Sequence, residues 1–104
     1  MQLHPMKLLT VVAEEVLRDP IVRKMQDLGA RGCSYHSTQG VGLHEARHND
    51  VFSANVQLKV VCTKEVGEAI VSHLADHYFG KYAIVAWLGD VEVVRPQHFY
   101  RKSQ

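Results

Sequence analysis

"FSANVQLKVVCT" (residues 52–63) alternates: Phe52, Ala54, Val56, Leu58, Val60 and Cys62 fall on one face, and Ser53, Asn55, Gln57, Lys59 and Thr63 on the other. Side chains of a strand point to opposite faces with a period of two, so the segment reads as a strand with one buried face. The period then changes. Thr63 has the chemistry to cap a helix, Glu65 falls in its first turn, and Val66, Ile70, Leu74 and Tyr78 recur at helical spacing. A strand polar on one side, followed by a helix with one apolar stripe, implies a single core between them.

The same succession stands upstream. "MKLLTVVA" (6–13) is short, apolar and partly β-branched, which predicts a buried strand. Asp19 is placed to cap a helix with Pro20 at its first position; Ile21, Met25 and Leu28 form its stripe, and Gly29 stops it. "RGCSYHSTQ" (31–39) reads as a second strand, and 40–51, with two glycines and no sustained period, as a loop. Downstream, "YAIVAWL" (82–88) predicts a strand, "GD" a turn, and "VEVVR" (91–95) a short extra strand ended by Pro96, before a polar tail at 96–104. Two β-α-β halves within about 90 residues predict a ferredoxin-like α+β sandwich, βαββαβ, with both helices on one face of an antiparallel sheet. The other face is then left uncovered, and a small protein of this shape usually covers it by oligomerising.

A chain of 104 residues has room for one domain, and its 46% apolar and 22% charged content is that of a soluble globular protein. A formal net charge of +1 argues against a nucleic-acid binder relying on a basic face. No apolar run approaches the roughly 20 residues that span a bilayer. The N-terminus lacks a basic start and a small-residue cleavage site, so it does not read as a signal peptide. Cys33 and Cys62 lack metal or redox spacing and read as buried thiols in a reducing cytoplasm.

His44-Glu45-Ala46-Arg47-His48 fits the zinc-peptidase pattern H-E-x-x-H. That motif works only when both histidines project from one helix face. Here "GVG" precedes it and "ND" follows, leaving at most about one and a half turns, so the match reads as an accident within a loop. His73 and His77, four apart on the second helix, have metal-chelating spacing but also border the apolar stripe. Gly40-Val41-Gly42 opens the loop; residues without a Cβ let backbone N–H groups approach an anion. "YFGKYA" (78–83) is a second candidate, with Gly80 for a turn and Lys81 for a cation. It reads equally as a helix C-cap with a well-placed lysine. The two segments lie on different edges of one subunit, but could face each other across a subunit boundary.

Taken in order, "LGARGCSYHSTQGVG" (28–42), the long loop and "NVQLKVVCT" (55–63) resemble the PII signalling family over residues 6 to about 95. Nitrogen-type PII proteins carry a longer T-loop with a modifiable Tyr, a T-G-x-x-G-D-G-K phosphate loop, and a glutamine where this chain has His44. None of the three is present here. The short loop and "HYFGKYAIVAWLGDVEVVRPQHF" are more similar to the PII-like proteins of inorganic-carbon uptake, the SbtB and carboxysome-associated groups. Of the G-x-G-S-R-x-x-R run of SbtB proteins, only the glycines and the second arginine, Arg47, are matched.

The resemblance implies a non-enzymatic, cytoplasmic homotrimer that binds an adenine nucleotide (ADP, AMP, ATP or cyclic AMP) in each intersubunit cleft, with bicarbonate as a candidate co-ligand. The base would pack beside Ser34, Cys62 and Thr63. Phosphates would meet Gly40, Val41 and Gly42 and the run Phe79, Gly80, Lys81, Tyr82 and Ala83, with Arg47, Arg95 or Arg101 as a cation. A T-loop at about 40–51 would then be ordered by ligand and signal to a membrane partner, a bicarbonate transporter, holding the protein at the membrane periphery. Alternatives on the same or a related fold are a nitrogen-type PII regulator of an ammonium transporter and a CutA-like trimer binding divalent metal.

Overall fold

Strand β1 runs from His4 to Glu14 and is flanked on both edges by strands, the interior position that its apolar run predicts. The structure is a computed structural model and describes residues 1–38 and 55–99. A turn of 3-10 helix, Glu15–Leu17, leads into helix α1, Arg18–Asp27; strands β2, Ser34–Thr38, and β3, Asn55–Cys62, follow. Helix α2, Lys64–His77, precedes strand β4, Val85–Val93, and a final 3-10 turn, Pro96–His98. The strand order is β2-β3-β1-β4, every neighbouring pair antiparallel. This is the ferredoxin-like sheet expected from the sequence.

The alternation of β3 decides which face is buried. Val56, Leu58, Val60 and Cys62 pack with Leu9, Val11 and Ala13 of β1, Ile21 and Met25 of α1, and Val66, Ile70 and Leu74 of α2. Both helices therefore cover the same sheet face. The Thr63 hydroxyl accepts from the Val66 N–H at 3.3 Å, capping α2 as its sequence predicts. At the end of α1, Gly29 donates to Gln26 O and Ala30 to Met25 O, a Schellman closure. Gly29 has φ 117°, the left-handed conformation that only glycine adopts cheaply.

Three expectations need correction. Helix α1 starts one turn earlier than "DP" signals, through the 3-10 turn, so Asp19 lies within the first turn instead of capping it. Its carboxylate accepts from Arg18 Nε at 3.0 Å, and the Arg18 guanidinium lies 5.0 Å from the centre of the Tyr35 ring, tying α1 to β2. The separate strand over 91–95 does not exist: β4 continues through "GD" to Val93. Gly89 pairs with Leu8 and Asp90 with Lys7, and the Lys7–Asp90 ion pair suits a cross-strand register where a turn was expected. Cys33, expected to be buried, is only half-buried.

The second sheet face has no described helix over it. Leu8, Thr10 and Val12 of β1, Lys59 and Val61 of β3, and Val85 and Trp87 of β4 share it by register. Thr10 is closed in between Lys59 and Trp87, yet Trp87 itself is 51% exposed. An apolar sheet face of this kind is a surface for association.

Candidate functional site

An open cleft of about 290 Å³ lies where this uncovered face meets the chain entering β2 and the chain leaving β4. Leu8 and Val61, a directly opposed β1–β3 pair, contribute apolar side chains to it. Arg31, Gly32, Cys33 and Ser34 line one side; His98 and Phe99 of the C-terminal turn, and Lys59, complete it. Lys59 is opposed to Ser34 across β2 and β3, so register brings its ammonium to the cleft. Arg31, Lys59 and His98 can all be cationic, and among the described residues no carboxylate lines the cleft. An apolar floor with an aromatic ring and several cations suits a flat, partly apolar ligand bearing anionic groups.

Partial burial pushes the Cys33 thiol up, against a smaller lowering by the backbone hydrogen bond from Lys59, so the protonated form dominates at neutral pH. Gly32 has open space where a Cβ would stand. The backbone there is accessible to a ligand, although nothing in its geometry demands glycine.

Of the residues singled out from the sequence, Ser34 lines this cleft. Cys62 and Thr63 end β3 at the same end of the sheet, but both side chains are committed to the fold: the Cys62 thiol is buried in the core, and the Thr63 hydroxyl caps α2. They have only backbone atoms to offer. Arg95, exposed, precedes the Pro96–His98 turn.

Phe79, Gly80, Lys81, Tyr82 and Ala83 lie before β4, at the opposite end of the sheet. Val85 pairs with Val12, which also pairs with Gln57, and Gln57 with His36. The turn is closed by hydrogen bonds from Lys81 N–H and Tyr82 N–H to Tyr78 O, both 2.9 Å. Among the described residues only Gly29 has positive φ, so Gly80 needs no left-handed conformation.

Residues 39–54 join β2 to β3 at this same end, beyond the Thr38–Asn55 pair. Since β2 and β4 are opposite edges, the base of that loop and the 78–83 turn share an end of the sheet but not an edge. Gly40, Val41, Gly42 and Arg47, the H-E-x-x-H run 44–48, and Arg101 lie outside the described residues.

Sequence reasoning missed Arg31, Gly32, Lys59, His98 and Phe99 as cleft residues. Lys59 had one usable signal, its place on the polar face of β3 opposite the strand that opens the loop. For His98 and Phe99 there was none, because their approach to Arg31 depends on how the C-terminal turn folds back.

The nitrogen regulatory protein P-II family matches residues 6–98. A PII-like signalling protein of Thermus thermophilus is 34% identical, with a TM-score of 0.83 over 95% of this chain and 99% of that one. The chain belongs to the P-II family. The same fold is found in CPII of Thiomonas intermedia bound to ADP, AMP and acetate, 19% identical with a TM-score of 0.86 over 97% of this chain and 100% of that one. It recurs in CPII bound to ADP and bicarbonate, 20% identical with a TM-score of 0.76 over 94% of this chain and 97% of that one. No described helix is long and apolar enough to cross a membrane.

Proposed function

We propose that the protein is a PII-like regulator, a homotrimer that takes up an adenine nucleotide in each cleft between subunits and signals through its 40–51 loop. The observation that carries this reading is the lining of the cleft, where Leu8, Val61 and Phe99 meet Arg31, Lys59 and His98 with no carboxylate among the described lining residues. The base packs on the apolar floor beside Ser34 and the backbone of Cys62 and Thr63. The ribose and phosphates then follow β2, which spans ~13 Å from Ser34 to Thr38 at about 3.3 Å per residue, towards the amides of Gly40 to Gly42. The ADP and AMP in the CPII structures support this ligand class.

The uncovered sheet face supports the trimer. Association there buries Trp87 and Val85, and it allows the 78–83 turn of one subunit to stand against the loop base of the next. Phe79, Gly80, Lys81, Tyr82 and Ala83 of the neighbour, with Arg47, complete the phosphate side, while Arg95 stands at the base end, beside the Pro96–His98 turn. Ligand binding biases the loop between two arrangements, and only the arrangement that contacts ligand is favoured by it. No bond is broken, so the protein acts as a regulator and not as an enzyme. Its partner is a membrane transporter of bicarbonate, and bicarbonate is a co-ligand, in line with the ADP–bicarbonate complex of CPII.

Calorimetric titration of the trimer with ADP, AMP, ATP and cyclic AMP, with and without bicarbonate, tests the reading. Micromolar binding of at least one nucleotide is expected. Lys59→Ala removes a charged donor to the ring nitrogens of the base and should weaken binding by about tenfold or more, the loss of one charge-assisted hydrogen bond of roughly 1.5–3 kcal/mol. A trimer that binds none of the four, or a Lys59→Ala variant of unchanged affinity for every phosphate-bearing ligand, would refute it.

A further inference from the structure

Outside the cleft, α2 carries two histidines that the nucleotide reading leaves unused. His73 and His77 stack with ring centroids 4.2 Å apart and planes 25° from parallel. The Nδ1 of His77 lies 3.1 Å from the carbonyl oxygen of His73. A carbonyl only accepts, so Nδ1 carries the proton, and in the neutral ring the lone pair is on Nε2, on the far side of the imidazole. This is the arrangement that orients a metal-ligating histidine: one ring nitrogen held by a backbone carbonyl, the other free.

His73 and His77 are four apart on one helix and so face the same side, and turning the rings out of their stack brings one nitrogen of each to a shared ion at about 2.0–2.1 Å. Tyr78 meets the His73 ring edge-on with centroids 6.0 Å apart, closing one side of the pair.

We propose that His73 and His77 form a two-histidine site for a borderline divalent cation, such as Zn²⁺, Ni²⁺ or Cu²⁺, on the exposed face of α2. Among the described residues no group of three His, Cys, Asp or Glu side chains forms a ready-made site. Water therefore completes the coordination, as in sites that exchange their metal. An ion bound there clamps the last turn of α2, from which the Tyr78-closed turn and Lys81 follow.

The test is Zn²⁺ titration of the full chain at neutral pH, by calorimetry and by thermal midpoint. The variants are His73→Ala, His77→Ala, Cys33→Ser and the loop variant His44→Ala/His48→Ala. Binding of one ion per chain is expected in wild type, Cys33→Ser and the loop variant, with a midpoint that rises with Zn²⁺, because an ion bound to the folded state stabilises it. His77→Ala and His73→Ala should each lose affinity by at least the 10–100-fold that second-shell changes cost, with circular dichroism confirming that both still fold. Should either α2 variant bind Zn²⁺ as wild type does, or the loop or Cys33 variant lose it instead, the site is not there.

Discussion

Substituting Gly67→Ala sets two effects of known size against each other. Gly67 lies inside α2, where glycine costs ~0.8–1.0 kcal/mol relative to alanine, so helix propensity alone makes the substitution stabilising. Packing opposes it. A Cβ at this position would stand 2.9 Å from Leu88 Cδ2 and 3.3 Å from the sulfur of Cys62. Leu88 is half-buried and can turn aside at some cost, whereas Cys62 is fully buried at the end of β3 and cannot. Overpacking of this kind typically costs about 1–3 kcal/mol. The net expectation is a destabilisation of about 1 kcal/mol in the wild-type background. With Leu88→Ala in place the nearer obstacle is gone, and Gly67→Ala should become neutral or stabilising. Urea unfolding followed by circular dichroism at one fixed protein concentration measures all four corners of the cycle, with a coupling of about 1–2 kcal/mol expected. If Gly67→Ala stabilises the wild-type chain by its full propensity, or acts equally in both backgrounds, α2 does not approach β4 as closely as described.

Thr63→Ala removes the acceptor for the Val66 N–H and should cost about 1 kcal/mol by urea unfolding, with Thr63→Ser recovering most of it. His73 binds a proton less readily in the folded chain than in the unfolded one, chiefly through burial. The unfolded state therefore takes up more protons in the imidazole range, so stability should be complete above that range and fall as pH drops through it; His73→Gln should flatten the profile in metal-free buffer. Trp87→Glu places a charge on the uncovered sheet face and should shift sedimentation from trimer towards folded monomer. An unchanged trimer would mean that this face is not the one that associates.

Much of the fold was legible because its amphipathic elements bury one side each. The alternation of β3, the Thr63 cap and the Val66-Ile70-Leu74 stripe all pointed to the same core. The reading failed where a local signal was outweighed by tertiary contacts. "GD" signals a turn, but Asp90 stands opposite Lys7, and nine residues of β4 stay paired to β1. "DP" signals a helix start, but a 3-10 turn had already begun the helix at Glu15. The cleft was harder still. In sequence Lys59 is one more polar residue on a half-buried strand, and Arg31 and His98 are 67 positions apart. Only the pairing of Ser34 with Lys59 and the return of the C-terminal turn put those charges together.

The left-handed residue that closes α1 has a bearing on how variants of this chain should be interpreted. Gly29 is not among the residues that line the cleft, yet it sets the direction in which the backbone leaves the helix, and Arg31 follows two residues later. Forcing a side chain into that conformation costs roughly 1–2 kcal/mol, which the chain would relieve by re-aiming the segment that walls the cleft. A screen for impaired binding would then score position 29 beside true contact residues, and only a structure or an unfolding curve would tell a displaced wall from a missing contact.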